Sequence, residues 1–356
     1  MKINLKRILF FLAAVLLVGL CFFRFPKVPQ ETKAGPVADF VEKQFVLNNG
    51  AVLIENTDRN TVLSESIGLY LLANVEAGRK DLFDRTYEFA DREMLSEHGV
   101  FYWKIDLRTG EKQRSSASLD DLRIVRALLG AWRVWKEEGY LQKAMKLADA
   151  IRAKEFNAGY MVDSFSWGGS EQRSVAVNIS YLDLWTMKKL SDHDPEWGPV
   201  HERSRKLALD SMRGNGLFWE SYDLTERKFR HTEGNMINQV MIALHLSEDG
   251  VPASEIRAYA FLEKLMGQGK IPNTYNAEGA PMSRNESAAV YALAVRLFRA
   301  HKNARYERMA LDKMFSFEDA NRSSEFYGGF GMFGPFEKKT FNSFDNLQAL
   351  LVLLEH

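Results

Sequence analysis

Carboxylates and amides stand beside small or polar helix-starting residues at six places in this 356-residue chain, each time opening an apolar run. The clusters are Ser64-Glu65, Ser118-Leu119-Asp120-Asp121, Asn178-Ile179-Ser180, Thr232-Glu233-Gly234-Asn235, Arg284-Asn285-Glu286 and Ser343-Phe344-Asp345. Carboxyl groups brought together can divide acid–base chemistry between them. One, held protonated, donates to a departing oxygen, and a second, ionised, attacks or activates water; splitting an acetal needs that pairing. Each carboxylate also has a plainer reading. Glu65 in a first helical turn complements the helix dipole, Ser118 followed by two acids is a good ordinary helix start, and Glu233 fits a capping box.

The elements that must position these groups follow from the spacing. First residues of successive clusters lie 52 to 60 apart, room for the opened helix, a second helix running back and a return loop. Six antiparallel helix pairs closing on themselves make an all-α toroid with every cluster on one face. Helical periodicity predicts about twelve segments, near 36–47, 62–77, 79–95, 119–136, 138–153, 175–190, 194–213, 233–248, 252–267, 284–300, 302–316 and 342–355. Ser118 and Pro252 with Ser254 mark starts, and Gly78, Gly139, Gly250 and Gly267 mark ends. Two return loops, Phe101 to Asp106 and Leu217 to Asp223, read as short β-hairpins rich in aromatics. Trp103 and Trp219 on these loops can serve as sugar platforms or as loop packing, since pyranose rings stack on indole faces. Trp132 and Trp135 lie at helical spacing in an apolar run and read as core.

Lys plus Arg equals Asp plus Glu at 47 each, so no net field recruits nucleic acid. Hydrophobic residues at 46% suffice for a large core, and no Pro/Gly/Ser-rich linker interrupts the repeat. The expected division is residues 1–25 as an N-terminal signal or membrane anchor, 26–37 as a linker and 38–356 as one barrel domain. Lys2, Lys6 and Arg7 precede the apolar run Ile8 to Phe23, the layout of an export signal. A cleaved signal, an uncleaved anchor and a lipoprotein built on Cys21, the single cysteine, all stand. Each places the domain at the extracellular face of the membrane or in the medium. Neither disulfides nor a metal site are expected, because no second cysteine and no His-x-x-His spacing occur, and no Gly-rich phosphate loop calls for a nucleotide; no cofactor is expected.

The run Ala117 to Trp135 resembles the motif of glycoside hydrolase family 8, in which Ala-Ser/Thr-Asp-Ala/Gly-Asp begins an inner helix of an (α/α)6 barrel. Ser64-Glu65-Ser66-Ile67-Gly68-Leu69-Tyr70 resembles that family's Ser-Glu-Gly segment, Asn178-Ile179-Ser180-Tyr181-Leu182 its Asn-Pro-Ser-Tyr stretch, and Phe344-Asp345-Asn346-Leu347 its closing helix. The resemblance implies Glu65 as general acid with Asp121, Asp120 and Glu233 as further catalytic carboxylates. It implies a sugar-binding rim of Trp103, Tyr70, Tyr181, Trp219 and Asn235. The reaction implied is inverting hydrolysis of a β-linked polysaccharide, with β-1,4 linkage foremost and the cell's own exopolysaccharide as a natural substrate, beside its synthesis or secretion machinery.

Two positions depart from the motif. Leu119 replaces the first aspartate, so Asp120 can serve only if the helix start is rewound. Asn235 stands at the position of the family's base, and an amide cannot take a proton from water. Glu233 is then the first candidate base, with Asp223 and Glu226 behind it. Glu65 needs a raised pKa to hold its proton, and Asp121 is the neighbour expected to raise it. The same departures support a non-catalytic polysaccharide-binding or export component on the same fold. A lyase would want a Tyr or His base with a neutralising cation, and no clear set is present.

Overall fold

The computed structural model describes residues 34–230, 233–331 and 340–355. The segment read as an export signal or anchor, residues 1–25, lies outside the described residues, as does Thr232 of the fourth cluster. Among the described residues, no helix is long and apolar enough to cross a membrane.

Apolar patterning sorts the twelve α-helices among the described residues into two layers. In α10 (Ala288–Ala300) every residue from Ala288 to Val295 is buried, and such a helix must be covered on all sides. Its partner α11 (Ala304–Phe315) fully buries only Ala310 and Met314 and presents charged residues outward. The inner layer is α2 (Ser64–Glu76), α4 (Ser118–Trp135), α6 (Leu184–Ser191), α8 (Met236–Glu248), α10 and α12 (Ser343–Leu354). The outer layer is α1 (Ala34–Phe45), α3 (Lys80–Phe89), α5 (Glu138–Lys154), α7 (Trp197–Asp210), α9 (Arg257–Gly267) and α11. Each inner helix packs against the next, and α12 returns to α2 and α1, closing an (α/α)6 barrel. Because an outer helix precedes each inner one, the inner helices run in one sense and their amino ends share one mouth.

The predicted helices are all present, with local corrections. Segment 175–190 is divided: Ala176–Asn178 is a strand, Ile179–Tyr181 a 3-10 turn, and the helix begins only at Leu184. Two caps in series cause the break, since Asn178 accepts from the Ser180 amide at 3.1 Å and Asp183 accepts from the Thr186 amide at 3.0 Å. Ser118 does not cap α4, and its buried hydroxyl has no hydrogen-bond partner among the described residues. Lys136, at φ 58°, ends α4, whereas Gly139 lies inside α5. Both hairpins form: Ser221–Asp223 pairs with Lys228–Arg230 and with Ala176–Asn178, and Lys104–Asp106 turns at Gly110 and pairs with Thr61–Leu63, which leads into α2.

Candidate active site

The floor of the mouth is built where α2 and α4 begin. The amides of Asp120 and Asp121 both donate to the Ala117 carbonyl, at 2.9 and 3.1 Å, so the first turn of α4 is tightened and rewound. Leu119 consequently lines the barrel axis, and Asp120 takes the place facing α2. Asp120 accepts from Ser64 Oγ at 2.8 Å, from Arg123 Nη1 at 2.8 Å and from the Glu65 amide. A Cβ on Gly68 would stand 3.1 Å from Arg123 Cδ, so glycine there lets the arginine stem lie against α2.

Glu65 is half-buried beside this pair, and nothing among the described residues hydrogen-bonds its carboxyl. Burial pushes its pKa up to about 7, the Asp120 charge adds to the rise, and Arg123 opposes it. The positive end of α2 also favours the ionised form, and burial prevails over both. The neighbour responsible is Asp120, where sequence reading favoured Asp121.

Asp121 points elsewhere. It is fully buried, accepts from the Phe101 amide at 3.2 Å, and faces Glu155 at the end of α5. Asp121 Oδ2 and Glu155 Oε2 are sealed from solvent with no other partner among the described residues, and Ser116 Oγ holds the second Glu155 oxygen. Burial first, and each other's charge in the case of Asp121, push Asp121 well above the usual range and Glu155 up to about 7. Two such acids share a proton at neutral pH. Asp121 thus supports the floor from behind.

The adjoining wall comes from the lead-in to α6. Asp163 is fixed there by three bonds: its amide donates to the Ala176 carbonyl at 3.1 Å, its carbonyl accepts from the Ser118 amide at 3.1 Å, and Oδ1 accepts from the Asn178 amide. Burial raises its pKa to about 6 against the pull of that amide. Tyr181 is pushed up to about 12 by burial and then by the charges of Asp120, Asp163 and Glu65. The wall continues through Ser180, 2.8 Å from Asn178 Oδ1 and 3.1 Å from Asn238 Oδ1, to Glu220. Glu220 is buried and accepts from the Asn235 amide and the Asn238 and Gln239 side chains, each at 2.7 Å.

The other sequence candidates are distributed around this core. Asn235 is exposed and caps α8, its Oδ1 accepting from the Ile237 amide at 3.0 Å. Glu233 is exposed beside it. Trp103 is half-buried at the rim, its carbonyl accepting from the Ser64 amide at 3.0 Å. Trp219 flanks Glu220, with the Arg213 guanidinium 4.3 Å from its ring centre. Asp223 is held by Arg230 at 2.7 Å and by the amides of Thr225 and Glu226, which lower its pKa, and Glu226 pairs with Lys228 and Arg230. Tyr70 lies in the core, 2% exposed, near Glu42 and Arg79 of the outer side. Five residues past Glu65 is a rotation of about 140° around the helix, which carries Tyr70 away from the mouth.

The pattern described as "Glycosyl hydrolases family 8" matches residues 30–332. This chain belongs to glycosyl hydrolases family 8. A Bacillus subtilis (strain 168) relative named "Putative lipoprotein YdaJ" is 28% identical over 322 residues, covering 89% of this chain and 85% of that protein. An endoglucanase of Escherichia coli (strain K12) is 25% identical over 206 residues, 53% of this chain and 54% of its own. Among solved structures, one described as a novel alpha-amylase from Clostridium perfringens superposes with a TM-score of 0.83 at 27% identity, over 92% of this chain and 99% of that one. The family 8 barrel thus carries a half-buried acid at its mouth with Asp120 beside it.

Proposed function

We propose that this family 8 hydrolase cleaves a β-linked polysaccharide with inversion of configuration, Glu65 serving as the general acid. The observation that carries the reading is the Glu65 carboxyl, raised to about 7 and left without a hydrogen-bond partner where the barrel opens. A carboxyl in that state gives its proton to the leaving oxygen while water attacks the opposite face of the ring and a second carboxylate takes the water's proton. Trp103, at the rim beside Ser64, and Tyr181, on the adjoining wall, supply a stacking surface and a hydroxyl for the sugar. The name of the E. coli relative supports an endo-acting glucanase.

Reducing-end release tests the reading across β-glucan, xylan, chitosan and the host's own exopolysaccharide. Wild type should cut at least one, Glu65→Gln should not, and the first product should have inverted anomeric configuration by NMR. Tight binding without cleavage in every case would favour the polysaccharide-binding alternative. A second reading, an α-linked glucan as substrate, draws support from the Clostridium alpha-amylase, so amylose belongs in the same panel. The lipoprotein name of the B. subtilis relative supports a place at the cell surface, with residues 1–25 as the exporting or anchoring segment and a polymer the cell secretes as substrate.

A further inference from the structure

Inversion demands an ionised carboxylate that can reach a water on the far side of the sugar from Glu65, and Asn235 cannot supply one. The carboxylates around the mouth are mostly committed. Asp120 accepts from Ser64, Arg123 and the Glu65 amide. Asp121 is sealed against Glu155. Glu220 is buried under three donors. Asp223 and Glu226 are paired with cations. Asp163 differs in each respect. Only its Oδ1 is engaged, by the Asn178 amide. Among the described residues its Oδ2 accepts nothing, and it is not sealed from solvent. Its backbone is pinned on one side to Ser118, two residues before Asp120, and on the other to Ala176, at the start of the strand leading to Tyr181.

We propose that Asp163 is the water-activating base of this enzyme. The inference rests on the hydrolytic reading above. The water oxygen bonds to the anomeric carbon as that carbon's bond to the leaving oxygen breaks. Glu65 gives its proton to the leaving oxygen, Asp163 takes one from the water, and solvent exchange returns both groups to their starting states.

The test compares Asp163→Ala, Asp163→Asn, Glu233→Gln and Glu65→Gln on the polysaccharide that wild type cleaves, and on β-cellobiosyl and α-maltosyl fluoride, whose fluoride leaves without a proton from an acid. Circular dichroism melts establish that each variant is folded. Asp163→Ala should lose about 10²- to 10⁴-fold in kcat on both kinds of substrate with KM little changed. Added azide should restore turnover to Asp163→Ala, giving a glycosyl azide of inverted configuration, and should do less for the bulkier Asp163→Asn. Glu65→Gln should lose polysaccharide cleavage yet keep fluoride cleavage. Should Glu65→Gln keep polysaccharide cleavage while Asp163→Ala loses both substrates, the acid assignment fails and Asp163 stands. Retention of activity in Asp163→Ala, or a deeper loss in Glu233→Gln than in Asp163→Ala, overturns the proposal. So does a wild type that cleaves neither polysaccharide nor fluoride, and in that case the hydrolytic reading falls with it.

Discussion

The mouth of the barrel and the ion-pair cluster further down its axis bury acids to a similar degree and titrate them in opposite directions. At the mouth, burial raises Glu65, Asp120, Asp121, Glu155 and Asp163, and among the described residues Arg123 is the one cation reaching into the group. Down the axis, Arg126 contacts Glu248 at 2.8 and 3.0 Å and Asp183 at 3.3 Å, while Arg296 contacts Glu248 at 3.2 Å and Glu355 at 3.0 Å. Burial pushes Asp183 and Glu248 up as well, but Arg126 with His245 and the Thr186 bonds at Asp183, and Arg126 with Arg296 at Glu248, together outweigh it and leave both below the usual range. The difference lies in the ratio of guanidinium to carboxylate, since desolvation is the largest influence in every case. A region starved of cations keeps protons available for chemistry, and one supplied with them becomes a fixed structural plug.

The comparison can be broken at either end. The largest effect is expected at the mouth: Glu65→Gln should reduce polysaccharide cleavage by about 10²- to 10⁴-fold with little change in melting temperature, read by reducing-end assay beside a thermal melt. In wild type, activity should fall as pH rises through about 7, where Glu65 loses its proton. Down the axis the reverse pattern is expected. Arg126→Met strands Asp183 and Glu248 without their main cation and should destabilise the fold by about 3–5 kcal/mol, read from the denaturant midpoint. Substrate specificity should be unaltered in whatever fraction remains folded.

The Asp121–Glu155 pair sharpens the comparison through pH. Glu155 binds its proton more tightly in the folded chain, at about 7 against 4.5, so the native state holds more protons between those values. Stability therefore falls as pH rises across that window, in total by about 3 kcal/mol, and Asp121 contributes in the same direction. Glu155→Gln should flatten the slope of unfolding free energy between pH 4.5 and 7. A wild type whose stability rises with pH over that range would show that the two acids do not share a proton.

The barrel was readable because its determinants are local and repeat: six polar helix starts, and inner helices such as Ala288–Ala300 apolar on every side. The site was readable only where a residue's role depends on its own helix. Glu65 is such a residue. Whether Asp120 or Asp121 faced it depended on one shared acceptor, the Ala117 carbonyl, which rotates the first turn of α4. Asp163 left no periodic trace, being held by bonds to Ser118 and to Ala176 and Asn178, which lie far from it along the chain. The pairing of Arg126 with Glu248 spans 122 positions and is equally silent in a single sequence.

The smallest expected effect isolates electrostatics from burial within the mouth. Asp120→Asn removes the charge that stands second to burial in raising Glu65 and leaves the Arg123 guanidinium, which favours the ionised acid, without its carboxylate. Both changes lower the Glu65 pKa, so the alkaline limb of the pH–rate profile should move to lower pH. Burial is untouched and is the larger cause, so the limb should remain above the ordinary glutamate value of 4.5. A limb that collapses to that value would mean Asp120, rather than burial, keeps Glu65 protonated. A limb that does not move would separate the two carboxyls electrostatically and leave the contrast between mouth and axis resting on solvation alone.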